Sequence, residues 1–456
     1  MKVRLMGLSV PLLMAVILTT GTEPTPTASG RAGAPAASGV DGARIERLQI
    51  FYTSPVLVRR GERVLMPIQV VCATRAGHPC SAKVALATRA GPRAPWRLSA
   101  ADQSGAVLFD LTFPASRVSG SGPVSFFLRA EARRDGGRSS VSVPEREASS
   151  PLSFYVTRRL PPVRVPSASF GAVRKGVIAL SLRWGSGPSA AGLEPGRESA
   201  TLGPSSFDVD RGGAIHLVDA VQDRIAVFSG GKLVGQTQLP LGAGAAIAVT
   251  DRGASYVADR DGGQAVIRRI DPDGRLGPAL GLGEGIPAQV RTLGERAFVH
   301  LLPLDAWVRV PADDSSEFAG GAPTVGMPVA SDTELLRVAT ERFVRLGFAS
   351  NKRVSDPVEL RFGQKVGDVP LAEPDGEGGY VAVVHMWRDH PPADQYQVVR
   401  GAGTRILSAF AVADSRFADS PPLGKFRLGR DGHLYQLTTS PRGIRILRFE
   451  LGREGR

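Results

Sequence analysis

The stretch 203–228, GPSSFDVDRGGAIHLVDAVQDRIAVF, limits what this chain can fold into more than any other. Apolar residues alternate at Phe207 and Val209, and Arg211-Gly212-Gly213 turns the chain. Alternation resumes at Ile215 and Leu217, and a third run at Ile225 and Val227 follows the polar Gln222-Asp223-Arg224. A period of two, broken by residues that tolerate positive φ, marks half-buried antiparallel strands. One such unit is marginal in water, so it needs copies to pack on.

Copies exist. FDVDRGG at 207–213 matches IAVTDRG at 247–253, a spacing of 40, and FRLGRDG at 426–432, an offset of 219. A unit length of about 40–50 residues fits five intervals into that offset, hence six copies. Weaker ones fall near 290–310, 335–348 and 380–399. The 54 Gly and 35 Pro are spread along the chain, which suits many turns between short strands. The fold class expected is therefore all-β.

The block WGSGP at 184–188 and the run that follows it resemble the NHL repeat of six-bladed β-propellers. The shared features are a Gly-rich lead-in, V-D-x-x-G at the turn, and D-x-x-x-x-R-I-x-x-F on the return, where Asp219, Arg224, Ile225 and Phe228 stand. Asp223 occupies a position where that family usually has Asn. The resemblance covers about 100 of the roughly 290 residues at 169–456 and implies a propeller of six blades. It also implies that strand 177–182 completes the last blade, formed by 426–451, so that no open edge remains. Asp219, Arg224, Asp259, Gly213, Gly253 and Gly432 are then structural residues of the repeat.

Upstream of the repeats, runs near 45–52, 63–73, 82–88, 106–113, 122–132 and 152–156 read as short strands at regular spacing, the pattern of an antiparallel sandwich. That segment, 44–158, resembles the immunoglobulin-like modules of exported bacterial proteins in pattern. Pro161, Pro162 and Pro166 mark a stiff linker at 159–168. At the N-terminus, Lys2 and Arg4 precede a short apolar core and a small, polar stretch. This is the layout of a signal peptide, here 1–21, followed by a flexible leader at 22–43. Export is the expected location, with membrane contact only through an uncleaved N-terminal segment. The two cysteines, Cys72 and Cys80, are expected to form a disulfide pinning a hairpin of 70–72 against 80–82.

The net charge of +13 comes from 56 basic residues, of which seven are Lys, and the Arg residues are scattered. No basic run and no nucleic-acid motif accompanies it, so nucleic acid is not an expected partner. Asp210, Asp251, Asp219 and Asp259 recur at or near the same turns, which points to turn capping and arginine pairing rather than an asymmetric metal site. Propeller enzymes of the lactonase and lyase kind hold a divalent cation with Glu, Asn and Asp, whereas Asn351 is the sole asparagine here. No G-x-S-x-G elbow and no phosphate-binding Gly loop exists. The densest polar cluster is His385-Met386-Trp387-Arg388-Asp389-His390, whose two histidines lie on different kinds of backbone and need not converge. No catalytic, cofactor-binding or metal-ligating residue is assigned. The expectation is a binding protein that contacts protein or envelope polysaccharide through Trp387, Arg388, His390 and Trp307, near loops 311–328 and 387–395. The alternative is a lactonase- or lyase-like enzyme with a divalent cation in the propeller channel.

Overall fold

The computed structural model describes residues 45–452 apart from 63, 75–77, 92, 105–106, 116–120, 135–136, 145–150, 197–200, 303, 312–322, 416 and 419–423. The expected signal peptide and leader lie outside the described residues, as does most of the 311–328 loop.

Residues 45–157 form two sheets. Ile45–Tyr52, Val64–Thr74 and Leu108–Ala115 make the first, with Val64–Thr74 in the middle. The second runs Leu57–Arg59, Leu152–Thr157, Gly122–Arg134, Ser81–Arg89, Arg97–Gln103, with Gly137–Val143 also paired to Gly122–Arg134. Strand alternation sends Ile50, Met66, Ile68 and Val70 into the same core as Val84, Leu86, Phe126, Leu128 and Phe154. Leu57–Arg59, Arg97–Gln103 and Gly137–Val143 escaped the sequence pattern. The first is three residues long, and the other two are polar edge segments whose side chains are largely exposed or half-buried.

Cys72 and Cys80 form a disulfide with Cα atoms 5.7 Å apart. The hairpin expected around it is not there. Val70 and Cys72 pair with Ile50 and Leu48 in the first sheet, while Ser81–Arg89 belongs to the second. Among the described residues, an isolated bridge of Ala73 with Pro79 and the Thr74 N–H donated to His78 O stand beside the bond. The disulfide therefore fastens the chain where it crosses from one sheet to the other.

The described residues of 177–449 form six sheets arranged in chain order. The first is Ser206–Val209, Ile215–Asp219, Arg224–Ser229 and Lys232–Gln238, and the second Ala246–Val249, Ser255–Asp261, Gln264–Ile270 and Leu276–Glu284. Ile286–Leu293, Arg296–Leu302 and Ala306–Arg309 make the third. Met327–Pro328, Thr333–Ala339, Phe343–Ser350 and Arg353–Arg361 make the fourth. In the fifth, Lys365–Val366 and Leu371–Pro374 both pair with Tyr380–Arg388, followed by Ala393–Ala402 and Arg405–Val412. The sixth combines Phe426–Leu428, Leu434–Ser440 and Gly443–Phe449 with Val177–Trp184, paired antiparallel from Val177↔Arg448 to Arg183↔Gly443, and with Ala190–Ala191 at the edge. Ser206–Val209 packs on Ala246–Val249 on one side and Phe426–Leu428 on the other, so the inner strands close a ring. The fold is a β-propeller.

The same turn recurs between inner strands. Gly213, Gly253 and Gly432 have φ of +81°, +86° and +79°, a left-handed conformation that glycine adopts without steric cost. Asp210 Oδ1 caps the turn by accepting the Gly212 and Ala214 N–H groups, and Asp375 does the same for Glu377 and Gly379.

The segment 159–168 is more than a connector. Pro162–Arg164 adds a parallel edge strand to Glu359, Leu360 and Arg361 of the fourth sheet. The chain then crosses the fifth sheet, where Gly171 N–H donates to Gln395 and Arg174 N–H to Ala411. The core of the sandwich also runs on into the ring through Ala306, Val325, Leu336 and Ala349. One apolar cluster thus spans the junction of sandwich and propeller.

Candidate functional site

Near one end or the other of the second strand of several sheets, a side-chain acceptor holds the segment that enters that sheet. Asp219 accepts Gly192 N–H with both oxygens at 3.2 and 3.1 Å, Asp259 accepts Gly242 N–H at 2.7 Å, and Glu334 accepts Gly326 N–H at 3.2 Å. Thr439 Oγ1 receives the N–H groups of Phe417 and Ala418. Arg224, buried, braces Asp219 at 3.3 Å and donates to the carbonyls of Pro188 and Ala190. Burial pushes the Asp219 and Asp259 carboxyls up despite these donors. These side chains face the backbone of their own fold and leave little for a ligand.

The centre of the ring is crossed by charge pairs. Arg291 of the third sheet reaches Glu373 of the fifth at 2.9 Å. Arg430, on the turn of the sixth sheet, pairs with Asp251 and donates to Val249 O and Thr292 Oγ1 of the second and third. Arg427 lies close enough to Asp208 and Glu373 to lower the Asp208 carboxyl, although burial dominates and raises it. Three arginines among these carboxylates repel a divalent cation, which bears against a metal site in the channel.

Two further polar groups stand outside the channel. His216 links Ser255 Oγ, 3.2 Å from Nδ1, to Asp210 Oδ2, 3.4 Å from Nε2, and so ties the first sheet to the second. Ser255 and His216 are buried. His385, Asp394 and Asp414 each place a ligand-type atom within 4.8 Å of the others. Lys425 Nζ lies 3.3 Å from Asp414, and Asp368 lies 3.3 Å from His385 Nδ1. The sequence grouping of His385 with Asp389 and His390 is therefore divided, because Asp389 binds Lys365 at 2.7 Å and His390 faces elsewhere.

Trp387, Arg388 and His390 line a groove of about 960 Å³. Its walls come from four separate places: Arg59 and Glu62 of the sandwich, Phe170 just after the linker, 341–345 with 359–364 of the fourth sheet, and 365 with 387–390 of the fifth. Arg345 forms its back. Its Nη1 and Nη2 bind both oxygens of Glu62 at 2.9 Å, and its Nε binds Glu359 at 3.0 Å. Burial opposes ionisation of Glu62, but the hydrogen bonds and charge of Arg345 outweigh it and hold the carboxyl below its ordinary value. Lys365 Nζ stands 4.3 Å over the Trp387 ring, and the Arg388 guanidinium 4.7 Å over Phe170.

Trp307 does not join them. It is 6% exposed, stacks on His300 at 5.3 Å and sits in a strand whose Trp307 backbone pairs with Thr324. His300 in turn holds Asp305, which accepts Ser54 N–H from the sandwich, and Tyr52 donates to Leu304 O. The sequence expectation of an exposed indole is corrected here: Trp307 belongs to an apolar strand and is buried against His300.

The geometry defines a β-propeller docked on a β-sandwich, with a charged groove at the joint. No family model matches the chain, and no curated protein does. It is similar to a solved streptogramin B lyase structure, at 10% identity over 54% of this chain and 93% of that one, with a TM-score of 0.32. It is also similar to virginiamycin B lyase from Staphylococcus aureus, at 12% identity over 55% and 85%, with a TM-score of 0.33. A quinonprotein alcohol dehydrogenase-like protein from Bacteroides thetaiotaomicron matches at 8% identity over 79% and 95%, with a TM-score of 0.19. Likeness at this level carries nothing about activity or ligand. No helix among the described residues is long and apolar enough to cross a membrane.

Proposed function

We propose that this chain is an exported, non-enzymatic binding protein whose six sheets are the six NHL-like blades of a closed propeller and whose sandwich is immunoglobulin-like. Its ligand is a protein or an envelope polysaccharide, and it is held in the groove between the domains. One observation supports this most. Trp387, Arg388 and His390, conspicuous in sequence, meet aromatic and charged residues from three other segments around one cavity, and cavities between domains are favoured ligand sites. Exposed Arg388 and half-buried Trp387 can be replaced with little effect on the core. Replacing both with Ala should weaken capture of the ligand from envelope extract by at least about tenfold, since such anchors commonly contribute more than 1 kcal/mol each. Unchanged capture, with the circular dichroism spectrum retained, would sink this reading.

The enzyme reading, with a divalent cation, rests on His385, Asp394 and Asp414 rather than on the channel. It stands second because Lys425 already supplies a cation to Asp414.

A further inference from the structure

Six cationic side chains and four carboxylates line the groove. Glu62 and Glu359 are bound by Arg345, Glu359 also by Arg361 at 2.8 Å, and Asp389 by Lys365. Among the described residues, Arg342 and Arg388 make no ion pair, Arg59 adds a further cation beside Glu62, whose oxygens Arg345 already holds, and of the four carboxylates Glu341 alone makes no ion pair. These arginines come from the sandwich, the fourth sheet and the fifth, so the surplus charge is distributed around the groove rather than gathered on one strand.

The aromatic residues point the same way. Neutral sugars bind by stacking on bare rings, but the Trp387 ring is covered by Lys365 and the Phe170 ring by Arg388. Stacking on Phe170 and the hydrogen bond from Nε to Pro391 O, at 3.0 Å, fix the Arg388 guanidinium. Its two terminal nitrogens remain for a ligand. A guanidinium held in one plane suits the paired oxygens of a carboxylate or sulfate. The cavity volume matches a small-ligand site, enough for a few linked sugars of a single chain.

We propose that the groove binds an acidic polysaccharide, its anionic groups held by Arg59, Arg342 and Arg388. This rests on the reading of the groove as the ligand site. Titration calorimetry with polygalacturonate oligomers, dextran sulfate and neutral dextran tests it, the last two sharing one backbone. Wild-type protein should bind at least one acidic polymer about tenfold or more tighter than dextran, and binding should weaken as salt rises. Whether polygalacturonate or dextran sulfate binds tells carboxylate from sulfate recognition. Arg342→Gln and Arg388→Gln should each weaken binding by roughly three- to tenfold, and Glu341→Gln should strengthen it. Equal affinity for dextran, no acidic polymer bound, or tighter binding of duplex DNA would overturn the proposal. Acidic binding unaffected by either arginine change would overturn it together with the groove itself. If a neutral or protein ligand is lost on replacing Trp387 and Arg388, with no salt dependence, only the acidic class is overturned.

Discussion

Replacing Arg345 with Met should lower the stability of the folded chain by about 3–5 kcal/mol, because it strips the cation from a buried set of charges. Arg345 is 7% exposed, and one guanidinium serves two domains, binding Glu62 of the sandwich and Glu359 of the fourth sheet. Arg361 stays on Glu359, which places the effect toward the lower end. Lys at this position should rescue only part of the loss, since an ammonium cannot hold two carboxylates in the guanidinium's planar geometry. A double-mutant cycle with Glu62→Gln, read by urea unfolding, measures the link directly. A coupling of about 1.5 kcal/mol or more is expected, and a coupling near zero would remove Arg345 as the clasp between sandwich and ring.

The junction should also be more stable at mildly acidic than at mildly alkaline pH. Burial pushes the Glu334 carboxyl up to about 7, and the one N–H it receives, from Gly326, does not offset this. Across from it, Tyr155 of the sandwich is pushed up to about 12, by burial first and then by Glu334. A carboxyl with a raised folded pKa binds its proton more tightly in the folded state. Stability is then lost as pH rises from the unfolded carboxyl value through about 7. A shift of this size corresponds to about 3 kcal/mol at most. Glu62 has the opposite sign: held low by Arg345, it contributes stability above the unfolded carboxyl value and loses it as pH falls through the folded one. The optimum lies between these limits. Asp208, Asp219 and Asp259 are raised as well and add to the alkaline limb. Glu334→Gln should therefore flatten that limb without abolishing it. An unchanged slope from pH 5 to pH 8 in unfolding titrations would refute the assignment.

What could be read from the sequence was whatever local chemistry dictates. Gly213, Gly253 and Gly432 announced the turns, and the alternation around them announced the strands. The strand at Val177–Trp184 had no neighbour in sequence and so had to close a sheet elsewhere, which it does against Gly443–Phe449. What could not be read depends on contacts between distant residues. Pro162–Arg164 looks like a linker because prolines suppress a strand pattern, and its partners lie near Arg361, far along the chain. Trp307 and Trp387 both sit at strands in an apolar context, yet the first is buried against His300 and the second opens on the groove. Nothing local to Arg59, Phe170 or Arg342 hints that they share a cavity. Only docking of the two domains brings them together.

Hydrogen exchange with and without bound acidic polysaccharide tests the central claim most directly, that the ligand is gripped where the two domains meet. Slower exchange is expected together in the segments containing Arg59 to Glu62, Glu341 to Arg345, Arg361 to Lys365 and Trp387 to His390, which line the groove from both domains. Protection confined to the sandwich, or to the ring away from these four segments, would contradict it.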